Sequence, residues 1–279
     1  MEWVRVSPLA IVVADEQRFW IHHPGWFPSA DPFLTPMECE GSLASTRNIL
    51  EGALCAAQQA AALERTPDTA TEVPLTLARW VWRLAGYYHT THSTPALMQE
   101  AAEKFAAAGR TALAQYAISK CVDEGGHDDL ALEDIRSLGY VAEQVVQACV
   151  PATASALVSY FTQLVRADDP IGCIGYAYAL ERMASAIQQD HIDQVVAILP
   201  RGVDATKCLR VHSGVGYDTD HVEDAIAVAA QATAREREAI ARTCYQTALL
   251  RHAAPKGDYL SEAALQSLLP ASSLWLAPA

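Results

Sequence analysis

The sequence predicts an all-α protein: a bundle of about seven helices, preceded by a short N-terminal β-hairpin or loop arm. From Ser42 onward apolar residues recur at three- and four-residue spacing in a background rich in Ala, Leu, Glu and Gln, which is the pattern of one helix after another. Several segment ends carry capping or stop residues. The connections between segments are short, which makes neighbouring helices run antiparallel. No repeat period and no low-complexity segment interrupts the pattern.

Residues up to about Pro36 stand apart. Leu9-Ala10-Ile11-Val12-Val13 and Arg18-Phe19-Trp20-Ile21 flank Asp15-Glu16, the pattern of a hairpin, and a Pro-rich aromatic loop follows from His22 to Pro36. Residues 1–36 therefore read as an arm and 37–279 as a single helical domain, because no flexible spacer separates two cores. The spacing places helices at about 42–65, 74–92, 95–135, 140–166, 170–199, 203–213 and 218–252, with a short one near 260–268. Thr94-Pro95 and Asp169-Pro170 read as N-cap and first-turn proline pairs: the cap side chain satisfies an orphan amide, and proline has none to leave unpaired. Gly139 after Leu138 reads as a helix stop.

Composition narrows the function classes. With 279 residues, 51% of them apolar, the chain can bury a substantial core. Acidic residues outnumber basic ones by 33 to 20, a field that repels phosphate backbones and anionic lipid, so neither nucleic acid nor membrane is an expected partner. The seven cysteines (Cys39, Cys55, Cys121, Cys149, Cys173, Cys208, Cys244) are odd in number and form no C-x-x-C pair, so they read as small buried apolar groups in a reducing compartment. No basic segment followed by a long apolar run opens the chain, and no stretch reaches the roughly 18 apolar residues of a membrane span; a cytoplasmic protein is expected. G-x-G-x-x-G after a strand, G-x-x-x-x-G-K-[ST], H-E-x-x-H and G-x-S-x-G are all missing from the sequence, so a nucleotide-binding or hydrolase reading has little to stand on.

Chemistry concentrates in three segments. Glu124 and His127 stand three apart in a helical pattern and should project from one face, where both can grip one metal ion. Glu181 interrupts the apolar run from Gly172 to Leu180, and a charge there is expensive to bury without a partner. Asp218 and His221 repeat the three-residue spacing, with His212 before them. Three carboxylates and three imidazoles around an apolar bundle centre match a non-haem di-iron site better than zinc, which generally takes four ligands. His212 and His221 are nine apart, on opposite sides of an ideal helix at about 100° per residue, so they can share a site only if Gly214 and Gly216 break the helix. One helix would then end near Ser213 and the next begin near Asp218. Gly125 and Gly126, inside the expected first ligand helix, cost about 1 kcal/mol each relative to alanine and would make room for metal, oxygen or substrate.

The order E-x-x-H, a lone E about fifty residues on, then H…D-x-x-H resembles the haem-oxygenase-like di-iron oxidases and oxygenases, a superfamily that also holds thiaminase-II-like and pyrroloquinoline-quinone-synthase-like proteins. The phrases Glu124 to Asp134 through Leu138-Gly139, and Gly175 to Glu181, carry the similarity, which spans roughly residues 75 to 250. The resemblance implies a haem-oxygenase-like bundle holding two Fe(II) ions per chain, with dioxygen as co-substrate. One ion would be held by Glu124, His127 and His212. The other would be held by Glu181, Asp218 and His221, with Glu124 as bridge. Family members usually place three residues between the last segment's first histidine and its aspartate, whereas His212 and Asp218 have five between them. The implied activity is oxidation of a small organic substrate: N-oxygenation, desaturation or oxidative C–C cleavage of an amino-acid-like or fatty-acid-like molecule, often in natural-product biosynthesis. The alternatives are a cofactor-free oxidase or thiaminase-II-like hydrolase of the same fold, and a non-catalytic metal-binding scaffold. Haem itself is a poor fit, since paired carboxylates are chemically wrong for haem iron. A small-molecule substrate is the expected partner, and a homodimer is left open.

Other conspicuous residues have plainer readings. Asp220, Glu223 and Asp224 read as exposed helix residues, Glu236-Arg237-Glu238 as a salt-bridged exposed face, and His22-His23 as surface. His89 and His92 could line a pocket near a helix end. Tyr176, Tyr178 and Tyr217 lie close in sequence to candidate ligands, where core packing and a role at the pocket are equally open.

Overall fold

A computed structural model describes residues 1–24, 41–64, 74–215, 220–253, 258 and 260–270. The chain opens with three strands, β1 (Glu2–Ser7), β2 (Ala10–Ala14) and β3 (Phe19–His22), in an antiparallel sheet of that order. The expected hairpin is β2–β3, and its turn is held by Asp15 Oδ1, which accepts the amides of Gln17 and Arg18. β1 extends it. Its alternation of buried Glu2, Val4 and Val6 with less buried Trp3, Arg5 and Ser7 is the period-two signal of a strand with one face on a core. The sheet packs into the helical body: Val4, Val6, Val12 and Ala14 join the main core, and buried Glu2 accepts a hydrogen bond from Ser45 Oγ at 2.6 Å and faces Arg237 at 3.5 Å.

Thirteen helices follow among the described residues: α1 (Leu43–Glu64), α2 (Leu77–His92), α3 (Thr94–Ala107), α4 (Thr111–Asp123), α5 (His127–Ser137), α6 (Ala142–Ala148), α7 (Ala152–Arg166), α8 (Gly172–Ser185), α9 (Gln189–Ile198), α10 (Lys207–Val211), α11 (Asp220–Ala230), α12 (Ala234–His252) and α13 (Glu262–Leu268). The all-α expectation holds, and the number exceeds seven because long periodic stretches are cut into shorter helices. The stretch expected at 95–135 becomes α3, α4 and α5; 140–166 becomes α6 and α7; 170–199 becomes α8 and α9; 218–252 becomes α11 and α12. Apolar periodicity survives a tight turn between two helices that share a core, so periodicity alone does not show the break. Gly109, Gly126, Gly139 and Gly202 all have positive φ, and each stands between two of these helices. Pro151 opens α7, and a reciprocal capping box between Thr233 and Glu236 opens α12.

Of the two expected N-cap side chains, Asp169 acts at its helix entry and Thr94 does not: its hydroxyl donates to the Thr90 carbonyl, and no side-chain bond caps α3. Ser93, one residue before Thr94, is the N-cap of α3. Asp169 Oδ1 accepts the Ile171 amide at the entry to α8, and Gly139 ends the turn after α5 with φ 76°. Arg237 departs from the reading as an exposed face: it is 4% exposed, donating to the Ala232 carbonyl and facing Glu2, while Glu236 pairs with Arg110 and Glu238 with Arg242.

Buried side chains form two cores. The first joins the sheet to α1, α3, α4, α7, α8, α11 and α12; the second joins α2, α5, α6, α9, α10 and α13. Trp80 anchors the second, fully buried, its indole N–H donating to the Ala205 carbonyl at 2.9 Å. Cys149, Cys173, Cys208 and Cys244 are buried and free; Cys55 and Cys121 are free and half-buried; Cys39 lies outside the described residues. Among the described residues no single helix is long and apolar enough to cross a membrane, and α6 with α7 reaches that length only as a pair bent by 81°.

Helix α8 rests directly on α12. A Cβ on Gly175 would lie 2.1 Å from the Ile240 carbonyl oxygen and 3.0 Å from the Cys244 nitrogen, both backbone atoms. Gly175→Ala should therefore destabilise the protein by about 2–3 kcal/mol in urea unfolding, through overpacking against an unyielding neighbour. Gly86→Ala on α2 meets the Pro151 ring at 3.4 Å (Cγ) and 3.9 Å (Cβ) and should be neutral or stabilising by up to about 1 kcal/mol.

Candidate metal centre

Glu124 and His127 come together by a route different from the expected continuous helix. Glu124 is the C-cap of α4 and His127 is the first residue of α5. Between them the chain turns through Gly125 and through Gly126, whose φ of 82° favours glycine. The Gly125 amide donates to Val122 O at 3.1 Å and the His127 amide to Glu124 O at 3.3 Å, so the turn stays hydrogen-bonded while the axis changes. The glycines in E-G-G-H are thus the joint that brings the two ligand candidates face to face.

His212 arrives as the C-cap of α10, which shares the second core with α5. Its Nδ1–H donates to the Cys208 carbonyl at 2.9 Å, which leaves the Nε2 lone pair pointing into the site. His127 Nδ1 lies 3.1 Å from that Nε2 and 3.2 Å from Glu124 Oε2, and the two rings meet edge to face at 4.7 Å. A single proton on His127 Nδ1 is therefore shared between an imidazole lone pair and a carboxylate. Donor atoms of Glu124, His127 and His212 all lie within 4.8 Å of one another, the set of two imidazoles and one carboxylate that suits a metal ion.

The electrostatics agree with that geometry. Burial works against the Glu124 carboxylate, but the His127 hydrogen bond and the two nearby imidazoles outweigh it and hold its carboxyl below the usual range. The hydrogen bond to Glu124 raises His127 above the ordinary imidazole value despite its partial burial. Burial pushes His212 down, which keeps it a neutral donor.

α10 is held in place from α5. Asp134 is fully buried, and its carboxylate accepts the Lys207 amide at 3.1 Å and the Cys208 amide at 2.9 Å, capping the start of α10. Burial raises its carboxyl to about 6, with the two amides acting in the opposite direction. One side chain thus ties the helix that begins with His127 to the helix that ends at His212.

The break expected between His212 and His221 is present. α10 stops at Val211, the chain turns through His212 to Val215, and α11 begins at Asp220. Gly214 is set by crowding: its amide donates to the Ile187 carbonyl at 3.1 Å, and a Cβ would stand 2.4 Å from the Ser185 oxygen. Gly216 and Asp218 lie outside the described residues, as does Tyr217.

The other expected ligands sit in two neighbouring pairs. Glu181, 8% exposed on α8, places Oε1 2.8 Å from the ammonium of Lys120 on α4, while Oε2 is buried with no hydrogen-bond partner among the described residues. Burial raises its carboxyl to about 7, Lys120 opposing and the charges of Glu124 and Asp123 adding to the rise. His221 on α11 places Nδ1 3.4 Å from Asp123 Oδ2 at the end of α4. Lys120 and Asp123 are the two participants that ligand-motif reasoning missed. The available signal was on α4 itself, where Lys120 falls on the stripe of buried Leu113, Tyr116 and Ala117, a place that demands a partner for a charge.

Tyr176 packs under the site, its ring stacked on Phe161 at 4.2 Å, with its hydroxyl buried and without a hydrogen-bond partner among the described residues. Tyr178 belongs elsewhere, donating to Glu51 beside Arg182. His89 donates its Nε2 proton to the carbonyls that end α6, and His92 stacks on Tyr88 and pairs with Asp128 at 2.6 Å. His23 bonds the Leu9 carbonyl, Glu223 pairs with Arg47, and Asp224 is exposed.

The family described as iron-containing redox enzymes matches residues 81–254, which spans every candidate ligand. The chain belongs to that family. Among solved structures it is similar to a domain of unknown function with a heme oxygenase-like fold from Shewanella denitrificans OS217, with 18% identity and a TM-score of 0.58 over 78% of this chain and 90% of that one. At that identity the likeness establishes the fold. A comparison with curated proteins finds no match. Membership of the iron family agrees with the donor set: imidazole and carboxylate suit ferrous iron, and the converging atoms offer it three positions.

Asp134→Ala should weaken ferrous binding by at least about tenfold, because it strips two amides at the start of α10 of their acceptor and loosens the helix that presents His212. Asp134→Asn keeps one acceptor oxygen and should fall between it and wild type. Anaerobic iron titration of the three proteins measures this, and equal affinities would show that α10 is held by other contacts.

Proposed function

We propose that this protein is an oxygen-dependent non-haem iron enzyme that oxidises a small organic molecule, with iron held by Glu124, His127 and His212. The observation that carries the reading is the convergence of three donor atoms on one shared proton, with His212 aimed into the site by its own bond to the Cys208 carbonyl. An ion of higher charge can replace that proton without rebuilding the site. When bound, ferrous iron supplies the redox chemistry with dioxygen.

The chain's own residues supply geometry. Glu124, His127 and His212 would hold the ion through one carboxylate oxygen and two imidazole nitrogens. Cys208 fixes the tautomer of His212 through its carbonyl, so that Nε2 faces inward. Burial keeps the Tyr176 hydroxyl protonated beneath the site, close enough for the Glu124 charge to act on it. Glu124 and His127 remain 18% and 24% exposed, so the site keeps an opening to solvent. The two-ion arrangement implied by the resemblance would also need Glu181, Asp218 and His221. Glu181 carries Lys120 and Asp218 is outside the described residues, so the activity is assigned to the ion at Glu124, His127 and His212. Amino acids, amines and fatty acids remain the substrate classes to try, with N-oxygenation, desaturation and oxidative C–C cleavage as the outcomes.

Glu124→Ala, His127→Ala and His212→Ala should each lose iron and oxygen-dependent turnover while keeping the helical circular dichroism of wild type, since each removes a donor rather than core volume. The test is anaerobic ferrous loading followed by oxygen-electrode assays with and without candidate amines, amino acids and fatty acids. Full iron content and oxygen uptake in all three variants would sink the assignment.

A further inference from the structure

The buried pair of Lys120 and Glu181 is left over from the reading above. Lys120 lies one turn before Glu124 on α4 and is 2% exposed, the one buried lysine among the described residues. Its ammonium stands 2.8 Å from Glu181 Oε1, with the two side chains 3% and 9% exposed. We propose that Lys120 is the resident cation of the second half of the site: it holds Glu181 in place of a second iron, and the protein takes one iron per chain. This rests on iron binding at Glu124, His127 and His212.

Three observations support it. A carboxylate buried in this core requires a positive partner, and the ammonium meets Oε1 directly while Oε2 has no hydrogen-bond partner among the described residues. A ferrous ion brought to the same carboxylate would face the ammonium across a medium that screens poorly, and each cation would weaken the hold of the other. Lys120 also has no easy retreat. It springs from the buried stripe of α4 that Tyr116 and Ala117 share, so an ammonium displaced from Glu181 would stay within the core, near the Glu124 charge. The remaining candidates, His221 and Asp123, already face each other at 3.4 Å and are about 30% exposed. Without Glu181 they offer two donors among the described residues, a thin set for a tightly held second ion. The neighbouring triad differs: Glu124 is met by imidazoles that can act as ligands, and among the described residues no ammonium bonds to it, Lys120 acting on it only at longer range.

The experiment counts metal and reads its magnetic state. Wild-type protein is loaded anaerobically with excess ferrous ion and desalted; its iron is measured by plasma mass spectrometry, and nitric oxide is added as an electron-paramagnetic probe. One iron per chain is expected, giving the half-integer-spin signal of an isolated ferrous nitrosyl at full intensity. Lys120→Met keeps the volume of the buried stem and removes its charge; it should raise the count towards two and diminish the isolated-ion signal as two ions couple. Glu181→Gln should leave the count at one. Two irons in wild type, falling to one in Glu181→Gln, would overturn the proposal and leave the first iron site intact. A count that stays at one in folded Lys120→Met would also overturn it, because the ammonium would then not be what excludes the second ion. No iron in wild type would overturn the iron assignment itself, and this inference with it. Circular dichroism checks folding, and Lys120→Gln serves as the neutral variant if Lys120→Met does not fold.

Discussion

The left-handed turn at Gly126 is the constraint on which the site depends. Glu124 ends one helix and His127 begins the next, so the distance between their polar atoms is set by the turn. A side chain at Gly126 would find open space but would force a backbone conformation that L-residues resist, so the position is limited by φ rather than by packing. With the turn fixed, the rest follows in order. His127 offers its proton to Glu124 and His212, Cys208 orients His212, and Asp134 holds the helix that carries both Cys208 and His212.

The charges around this chain of contacts are paired with one another, fully buried at Lys120 and Glu181 and partly exposed elsewhere. Glu124 lies against imidazoles, Glu181 against Lys120, and Asp123 against His221, so each carboxylate near the end of α4 has a basic neighbour. In an apolar bundle an unmatched carboxylate would either take up a proton or destabilise the fold. The pairing explains how a cluster this acidic coexists with the surrounding core. It also separates the cluster into a part whose basic neighbours can bind metal and a part whose neighbour cannot.

Much of this was legible in the chain, and the failures have physical causes. Helical character was readable from Ser42 onward because the bundle buries one stripe of every helix, and the unwinding after Val211 was readable from the angular conflict between His212 and His221. That Glu124, His127 and His212 would come together was readable from their types and spacing. Their local structure was not: two adjacent glycines were treated as a propensity cost inside one helix, when they are the junction between two. Lys120 escaped because a lysine is normally solvated, and only its place on the buried stripe of α4 marks it. Asp123 escaped because it pairs across to α11, a contact of long range in sequence. The number of helices was underestimated because short turns inside a common core leave the apolar period intact.

The two cores meet at the triad. Glu124 hangs from α4, whose buried face belongs to the core that holds the sheet, while His127 and His212 hang from α5 and α10, which belong to the core around Trp80. An ion bound by all three is therefore a rivet through the seam between two bodies of side chains, each with its own capacity to open. Metal would report on this mechanically: the amides of α5 and α10 should exchange in step with those of α4 when the rivet is in place, and on a separate schedule when it is withdrawn.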